Sequence, residues 1–173
     1  NAGANYFKAK RVEDALETQK KLYEGYSTHE LAPKALYSIA EIYRETTVYD
    51  EAARIYEVFV MNHRNHQLAK KALRYASIFR KTLAHYDEAV ANIELYIKRY
   101  PDEPDLSLAH LDVVTIRELQ KAPTKVIKEG KRHLKTFKNT PVGVRLQILN
   151  KMGKAFRDKR KRKDSRKQFE LTV

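Results

Sequence analysis

Near the ends of four predicted helices, one in each repeating segment of the chain, arginine directly follows a large apolar residue, and this regularity is the chain's best candidate for chemistry. The pairs are Tyr43-Arg44, Phe79-Arg80, Ile116-Arg117 and Phe156-Arg157. Arginine suits carboxylates, because its planar guanidinium can bond both carboxylate oxygens at once. Alternatively, the four are ordinary helix-forming residues in a chain with 35 Lys and Arg. The regularity favours a set of arginines that binds a carboxylate-bearing partner.

Other reactive groups give a weaker case. Asp50-Glu51 and Asp87-Glu88 are paired acids, but each pair opens a predicted helix, where carboxylates stabilise the positive end of the helix dipole. His63 and His66 are three residues apart, but no third histidine or nearby carboxylate completes a metal site. The chain has no cysteine, no glycine-rich phosphate loop and no nucleophile beside a base. We therefore expect no enzyme, no metal and no cofactor.

Apolar residues recur at steps of three and four along the chain, which predicts amphipathic helices. Two such helices lie within Pro33 to Arg64, on either side of a short polar turn. The segment Tyr49 to Ala52 returns as Tyr86 to Ala89, 37 residues later. Ala40 and Tyr43 return as Ala76 and Phe79, which are 36 residues later, so we expect a one-residue difference in the turn. A helical pair that repeats at this period indicates a solenoid.

These segments resemble the tetratricopeptide repeat, a helical pair with small and aromatic residues at fixed positions. Its positions are filled first by Leu36, Ile39, Ala40, Tyr43, Tyr49, Ala52 and Tyr56, and less fully by Ala72, Tyr75, Ala76, Phe79, Tyr86, Ala89, Ile93 and Pro101. The resemblance implies an all-α fold, a right-handed superhelical solenoid of helix-turn-helix repeats. We expect one such domain over 1–173, with a partial repeat at 5–28, repeats at 33–65 and 69–102, a divergent repeat at 105–139 and a partial repeat at 142–173. Both ends then lie inside a longer array.

The resemblance also implies a binding surface. In that family the residue after the inward apolar side chain faces the concave groove, which would place the four arginines together. Further groove positions are Lys34, Tyr37, Glu41, Lys70, Leu73, Ser77, His110, Asn150 and Lys154. The implied function is a non-enzymatic scaffold that holds a peptide or a helix of a protein partner, an acidic one included. The set differs from the family's carboxylate clamp, so binding of chaperone C termini is not expected.

Positive charge is concentrated late in the chain. Residues 1–104 hold 16 Lys and Arg against 15 Asp and Glu, whereas residues 105–173 hold 19 against 7. A basic run is formed by Lys159, Arg160, Lys161, Arg162 and Lys163. It suggests an alternative function, a module that binds RNA or another polyanion through 105–173; a solvated turn or a localisation signal also fits. Because 105–173 has no Tyr and only three Phe, few side chains could stack on bases, and sequence-specific nucleic-acid binding is not expected.

Location is only weakly indicated. No apolar run approaches the roughly 18 residues that a membrane-spanning helix needs. The aromatic-proline end of a repeat, Tyr100-Pro101, resembles repeats of bacterial cell-envelope proteins, including outer-membrane assembly lipoproteins. This similarity favours a bacterial, periplasmic protein and leaves the cytoplasm open, together with the oligomeric state and the identity of the partner.

Overall fold

The structure, a computed structural model, describes residues 11–171. The predicted partial repeat at 5–28 starts outside these residues, and the one at 142–173 ends outside them. Within them the secondary structure consists of nine α-helices and no strand, which confirms the all-α prediction. The helices are α1 (Val12–Gly25), α2 (Ala32–Glu45), α3 (Tyr49–Asn62), α4 (Ala69–Thr82), α5 (Tyr86–Arg99), α6 (Leu106–Leu119), α7 (Pro123–Thr136), α8 (Val142–Asp158) and α9 (Arg162–Glu170).

The chain divides between Asn92 and Ile93 into two compact units, so α5 contributes residues to both. In the first unit α1 packs on α2, α2 on α3 and α3 on α4. In the second unit α6 packs on α7, α7 on α8, and α8 on both α6 and α9. Each helix that lies within one unit is thus buried by its neighbours along the chain, as expected where single helices cannot bury their own apolar stripe.

Small residues form part of the buried core of the first unit. Ala40, Ala52, Ala76 and Ala89 are fully buried, as the sequence predicts. Aromatic rings form another part: Tyr56 and Phe59 are fully buried, and Tyr37 packs edge-on against both. The core therefore combines buried alanines with large rings.

The core of the second unit is more aliphatic. It consists of Leu111, Val114, Val126, Val144, Ile148, Met152, Ala155 and Phe156, with Ile127 and Leu134 packed against it. Gly153 allows α9 to lie close to α8, because a Cβ atom there would come within 2.8 Å of the Phe169 ring. The buried Ser165 hydroxyl then donates to the Gly153 carbonyl at 2.8 Å.

The helices α2, α4, α6 and α8 all end in the same turn. One residue in each turn has a left-handed backbone, with φ of 61° at Thr47, 60° at Ala84, 52° at Lys121 and 57° at Arg160. The next N–H donates to a carbonyl five residues back, as in a Schellman motif; the pairs are Val48 to Tyr43, His85 to Arg80, Ala122 to Arg117 and Lys161 to Phe156. The repeat is therefore expressed in backbone geometry even where the side chains differ.

The repeat period is more uniform than the sequence suggests. The starts of α2, α4 and α6 at Ala32, Ala69 and Leu106 are 37 residues apart at each step. Their left-handed turn residues Thr47, Ala84 and Lys121 also differ by 37 at each step. Ala76 is therefore equivalent to Ile39 rather than to Ala40, and the predicted one-residue difference in the turn is wrong.

Candidate partner-binding surface

The four arginines do not occupy equivalent positions. Arg80 and Arg117 themselves supply the carbonyl that accepts the turn hydrogen bond, whereas Arg44 and Arg157 follow the residue that supplies it. A shift of one residue rotates a side chain by about 100° around a helix. The arginines thus fall into two sets, with one member of each set in each unit.

Arg44 joins α2 to α4. It donates to Glu41 Oε2 at 3.0 Å and also pairs with Glu45. Its guanidinium carbon lies 5.6 Å from the centre of the Tyr75 ring, and Lys71 Nζ lies 5.5 Å from the same ring. Burial lowers the pKa of Arg44, but Glu41 and Glu45 outweigh it and leave that pKa raised. Two cations therefore lie over one half-buried aromatic side chain.

Glu41 is held in place by a hydrogen bond from the neighbouring helix α3. The hydroxyl of the fully buried Tyr56 on α3 donates to the Glu41 carboxylate. Burial raises the pKa of Tyr56, and the hydrogen bond to Glu41 raises it further, so the hydroxyl keeps its proton and remains a donor. This bond holds the Glu41–Arg44 pair in one position before any partner arrives.

Arg80 is bound on several sides. Its Nε and Nη2 donate to the two oxygens of Glu57 at 2.9 and 2.8 Å, and its Nη1 donates to Asp50 Oδ1 at 2.5 Å. Asn92 donates to the same Glu57 at 2.8 Å. The Arg80 side chain is only 12 % exposed, because these bonds hold its head against α3. Arg80 acts as a clamp between α3 and α4.

Arg117 and Arg157 of the second unit have different surroundings. Arg117 donates to the Gln120 side chain at 2.7 Å, and the neighbouring Glu118 pairs with Lys151. Arg157 is exposed and lies at an open depression of about 580 Å³ that Arg162, Arg166 and Phe169 also line. In this unit Arg117 is bonded to an amide, and Arg157 lies open to solvent.

Part of the chain matches a known family in sequence. Residues 34–66 match the family model of the tetratricopeptide repeat. The chain carries a tetratricopeptide repeat. None of the curated proteins matches it in sequence.

Solved structures show that the rest of the chain has the same repeat fold. A kinesin light chain-like protein of Podosopora anserina with nearly identical TPR-like repeats is 12 % identical, with a TM-score of 0.60 over 99 % of this chain and 90 % of that one. A MamA fragment from Desulfovibrio magneticus RS-1 is 14 % identical, with a TM-score of 0.56 over 99 % and 89 %. BtubC from P. vanneervenii is 10 % identical, with a TM-score of 0.60 over 98 % and 75 %. The fold is that of an all-α helical-repeat solenoid.

Three predicted groove residues belong to the core of the chain. Leu73 and His110 are each 1 % exposed, and Tyr37 is 8 % exposed. They lie on the faces of α4, α6 and α2 that neighbouring helices cover, so placing them on a partner-binding surface is wrong. Of the remaining positions, Lys34, Asn150 and Lys154 are exposed, whereas Glu41, Lys70 and Ser77 are half-buried.

Sequence reasoning missed a buried histidine pair in the repeat at α6 and α7. The rings of His110 and His133 lie 5.4 Å apart, and Phe137 packs against both. Burial lowers the pKa of each histidine to about 4. Their positions in the apolar stripes of the two helices are the signal that could have indicated burial.

The basic run is exposed in all five of its residues; residues 159–161 form the turn between α8 and α9, and Arg162 and Lys163 begin α9. Lys159 donates to Thr124 Oγ1 at 2.8 Å. In residues 11–171 no three His, Asp or Glu side chains are placed to hold a metal ion. None of the helices described there is both long and apolar enough to span a bilayer.

Proposed function

We propose that the chain is a non-enzymatic scaffold that binds a peptide or a helix of a protein partner on the surface formed by α2 and α4. Solenoids of this type commonly present extended surfaces that bind other proteins. The observation that carries the proposal is the Arg44–Tyr75 contact, which puts an accessible ring and a guanidinium on two successive repeats. We call the surface around this contact, with Glu41, Lys71 and Tyr75, the Arg44 surface.

The Arg44 surface has the features of a protein-binding hot spot. Tyrosine and arginine are the residues most often found at such positions, because each combines apolar area with hydrogen-bonding groups. The ring of Tyr75 is half-buried, so part of it can accept an apolar side chain. The pair of Arg44 and Glu41 can donate to and accept from the backbone of a partner.

Charge balance indicates which partners suit this surface. Arg44 and Lys71 face Glu41 and Glu45, so the cluster has no net charge. It therefore favours a partner segment with an apolar side chain and free backbone groups over one selected for acidity.

Peptide selection tests this proposal. A phage-displayed library of random peptides is panned against the whole chain, and the affinities of the selected peptides are measured for the chain and for Arg44→Gln. We expect Arg44→Gln to weaken binding by about tenfold, because the guanidinium is lost while a polar helix former remains. Arg54→Gln is the matched control: Arg54 also pairs with a glutamate three residues earlier, but it lies on α3 and is 54 % exposed.

Two results would contradict the proposal. If both variants bind the selected peptides as well as the parent chain does, the Arg44 surface is not the binding surface. If both weaken binding equally, the effect comes from total charge and not from this site. Thermal melting of both variants, expected to be nearly unchanged, excludes unfolding as the cause.

A further inference from the structure

Helix α7 presents a row of cations on one face. Its inward face consists of Val126, Glu129, Gly130 and His133, all buried. The outward face and the adjoining turns carry seven exposed basic residues, Lys121, Lys125, Lys128, Lys131, Arg132, Lys135 and Lys138. The five that lie on the helix, from Lys125 to Lys135, follow one another at helical steps and therefore share one side of it. We call this set the lysine row.

The lysine row lacks the carboxylates that neutralise cations in the first unit. Arg132 pairs with Glu94 and Glu129, but the six lysines form no ion pair with any residue in 11–171. The one carboxylate of α7, Glu129, is 9 % exposed and faces inward. Like charges at steps of three and four repel one another. An anionic partner would relieve that repulsion.

The surroundings of the row indicate what kind of anion fits it. No aromatic side chain stands among the exposed residues 121–138, so nucleic-acid bases would find nothing to stack on. None of the exposed large apolar side chains of the described chain lies in 121–138 either, so the row has no side chain to enter a bilayer. These two features disfavour single-stranded RNA and a membrane surface.

We propose that the lysine row binds an acidic segment of a protein partner, such as a helix with carboxylates at three- and four-residue steps. From Lys125 to Lys135 the row extends for about 15 Å, at 1.5 Å per residue. A second helix laid along it would present carboxylates at the same period, so that each could pair with one lysine. The lysine row lies on a different helix and in a different unit from the Arg44 surface, so the two proposals stand independently.

Polyglutamate provides a defined probe for this proposal. Binding of a fluorescent 30-residue poly-L-glutamate to the whole chain is measured by anisotropy at low salt. The variant Lys125→Gln, Lys128→Gln, Lys131→Gln and Lys135→Gln should bind at least tenfold more weakly. The control Lys161→Gln, Arg162→Gln, Lys163→Gln and Lys167→Gln removes the same number of exposed charges from the same unit and should change binding less than threefold.

The outcomes separate the lysine row from its rivals. Equal weakening in both variants would show a net-charge effect and overturn the proposal, as would an absence of polyglutamate binding. Tighter binding of a 20-base-pair RNA duplex or of phosphatidylserine vesicles, lost in the α7 variant, would assign the row to a nucleic acid or a membrane instead. Arg44→Gln should leave polyglutamate binding unchanged, so failure here is distinct from failure of the Arg44 surface.

Discussion

The two units share the same repeated backbone but differ in how far carboxylates neutralise their basic side chains. Residues 1–92 hold 14 Lys and Arg against 12 Asp and Glu, and Arg44, Arg54 and Arg80 all pair with carboxylates there. Residues 93–173 hold 21 against 10, and most of the excess lies exposed on α7 and in the turn before α9. A shared backbone thus supports an internally neutralised surface in one unit and an open basic one in the other.

This difference separates stability from binding. An arginine such as Arg80, held by carboxylates of a neighbouring helix, fixes the two helices relative to one another, and its replacement leaves the half-buried Glu57 without its cation. A lysine that points into solvent contributes little to folding, and its replacement mainly alters attraction for anions. Replacing the largely buried Arg80 of the first unit should therefore lower stability, whereas replacing exposed lysines of the second unit should mainly weaken binding.

Replacement of Arg80 should cause the largest loss of stability. Arg80→Ala leaves Glu57 and Asp50 without their cation, and we expect a loss of about 2–4 kcal/mol in the free energy of unfolding. Arg117→Ala, at the equivalent turn of the second unit, removes a bond to the neutral Gln120 amide and should cost less, about 1 kcal/mol. Urea denaturation of both variants measures the contrast, and similar losses in the two would remove the distinction between the units.

The histidine pair should make the second unit acid-sensitive. Burial lowers the pKa of His110 and His133 to about 4 in the folded chain, below the usual 6.5. The unfolded chain therefore binds more protons between these values, so stability is complete above pH 6.5 and falls as the pH drops towards 4. We expect roughly 1–2 kcal/mol per histidine to be lost between pH 7 and 5.

Denaturation of the chain at pH 7 and at pH 5 checks this expectation. The unfolding of each unit is monitored by its near-ultraviolet signal and by hydrogen exchange. Burial and His66 also lower the pKa of His63 in the first unit, which acts in the same direction but at a half-buried site. His133→Phe should reduce the pH dependence of the second unit. An unchanged dependence in that variant would assign the acid sensitivity to other groups.

Ala52 tests how tightly the first unit is packed. It is fully buried, so Ala52→Leu should overpack the site and cost about 1–3 kcal/mol. Ala91→Leu on α5 is the control, because Ala91 is exposed and can accept the larger side chain. Thermal melting that is equal for the two variants would mean that the site tolerates expansion and that the helical register is incorrect.

Periodicity predicted the helices and the buried alanines, because both depend on local spacing. It did not predict the ion pairs of Arg80, because its partners Glu57 and Asp50 are 23 and 30 residues away along the chain. Only the packing of α3 on α4 brings them close. The repeat family's groove positions placed His110 on a surface, whereas α7 covers it. The Arg44–Tyr75 contact likewise required the structure, since it joins two repeats.

The shared turn offers the smallest effect and the most direct comparison between units. Ala84 and Lys121 have φ of 60° and 52°, where a Cβ atom is strained and glycine is not. Ala84→Gly should therefore relieve strain and stabilise the chain by about 1 kcal/mol. The greater conformational entropy of glycine in the unfolded state reduces this gain. Lys121→Gly should give a similar gain, because both turns have the same hydrogen bond, and it should also weaken polyglutamate binding slightly. Urea denaturation measures both gains. A gain at Ala84 with a loss at Lys121 would show that the Lys121 side chain supports the second unit, and the lysine row would then have a structural role as well as an exposed one.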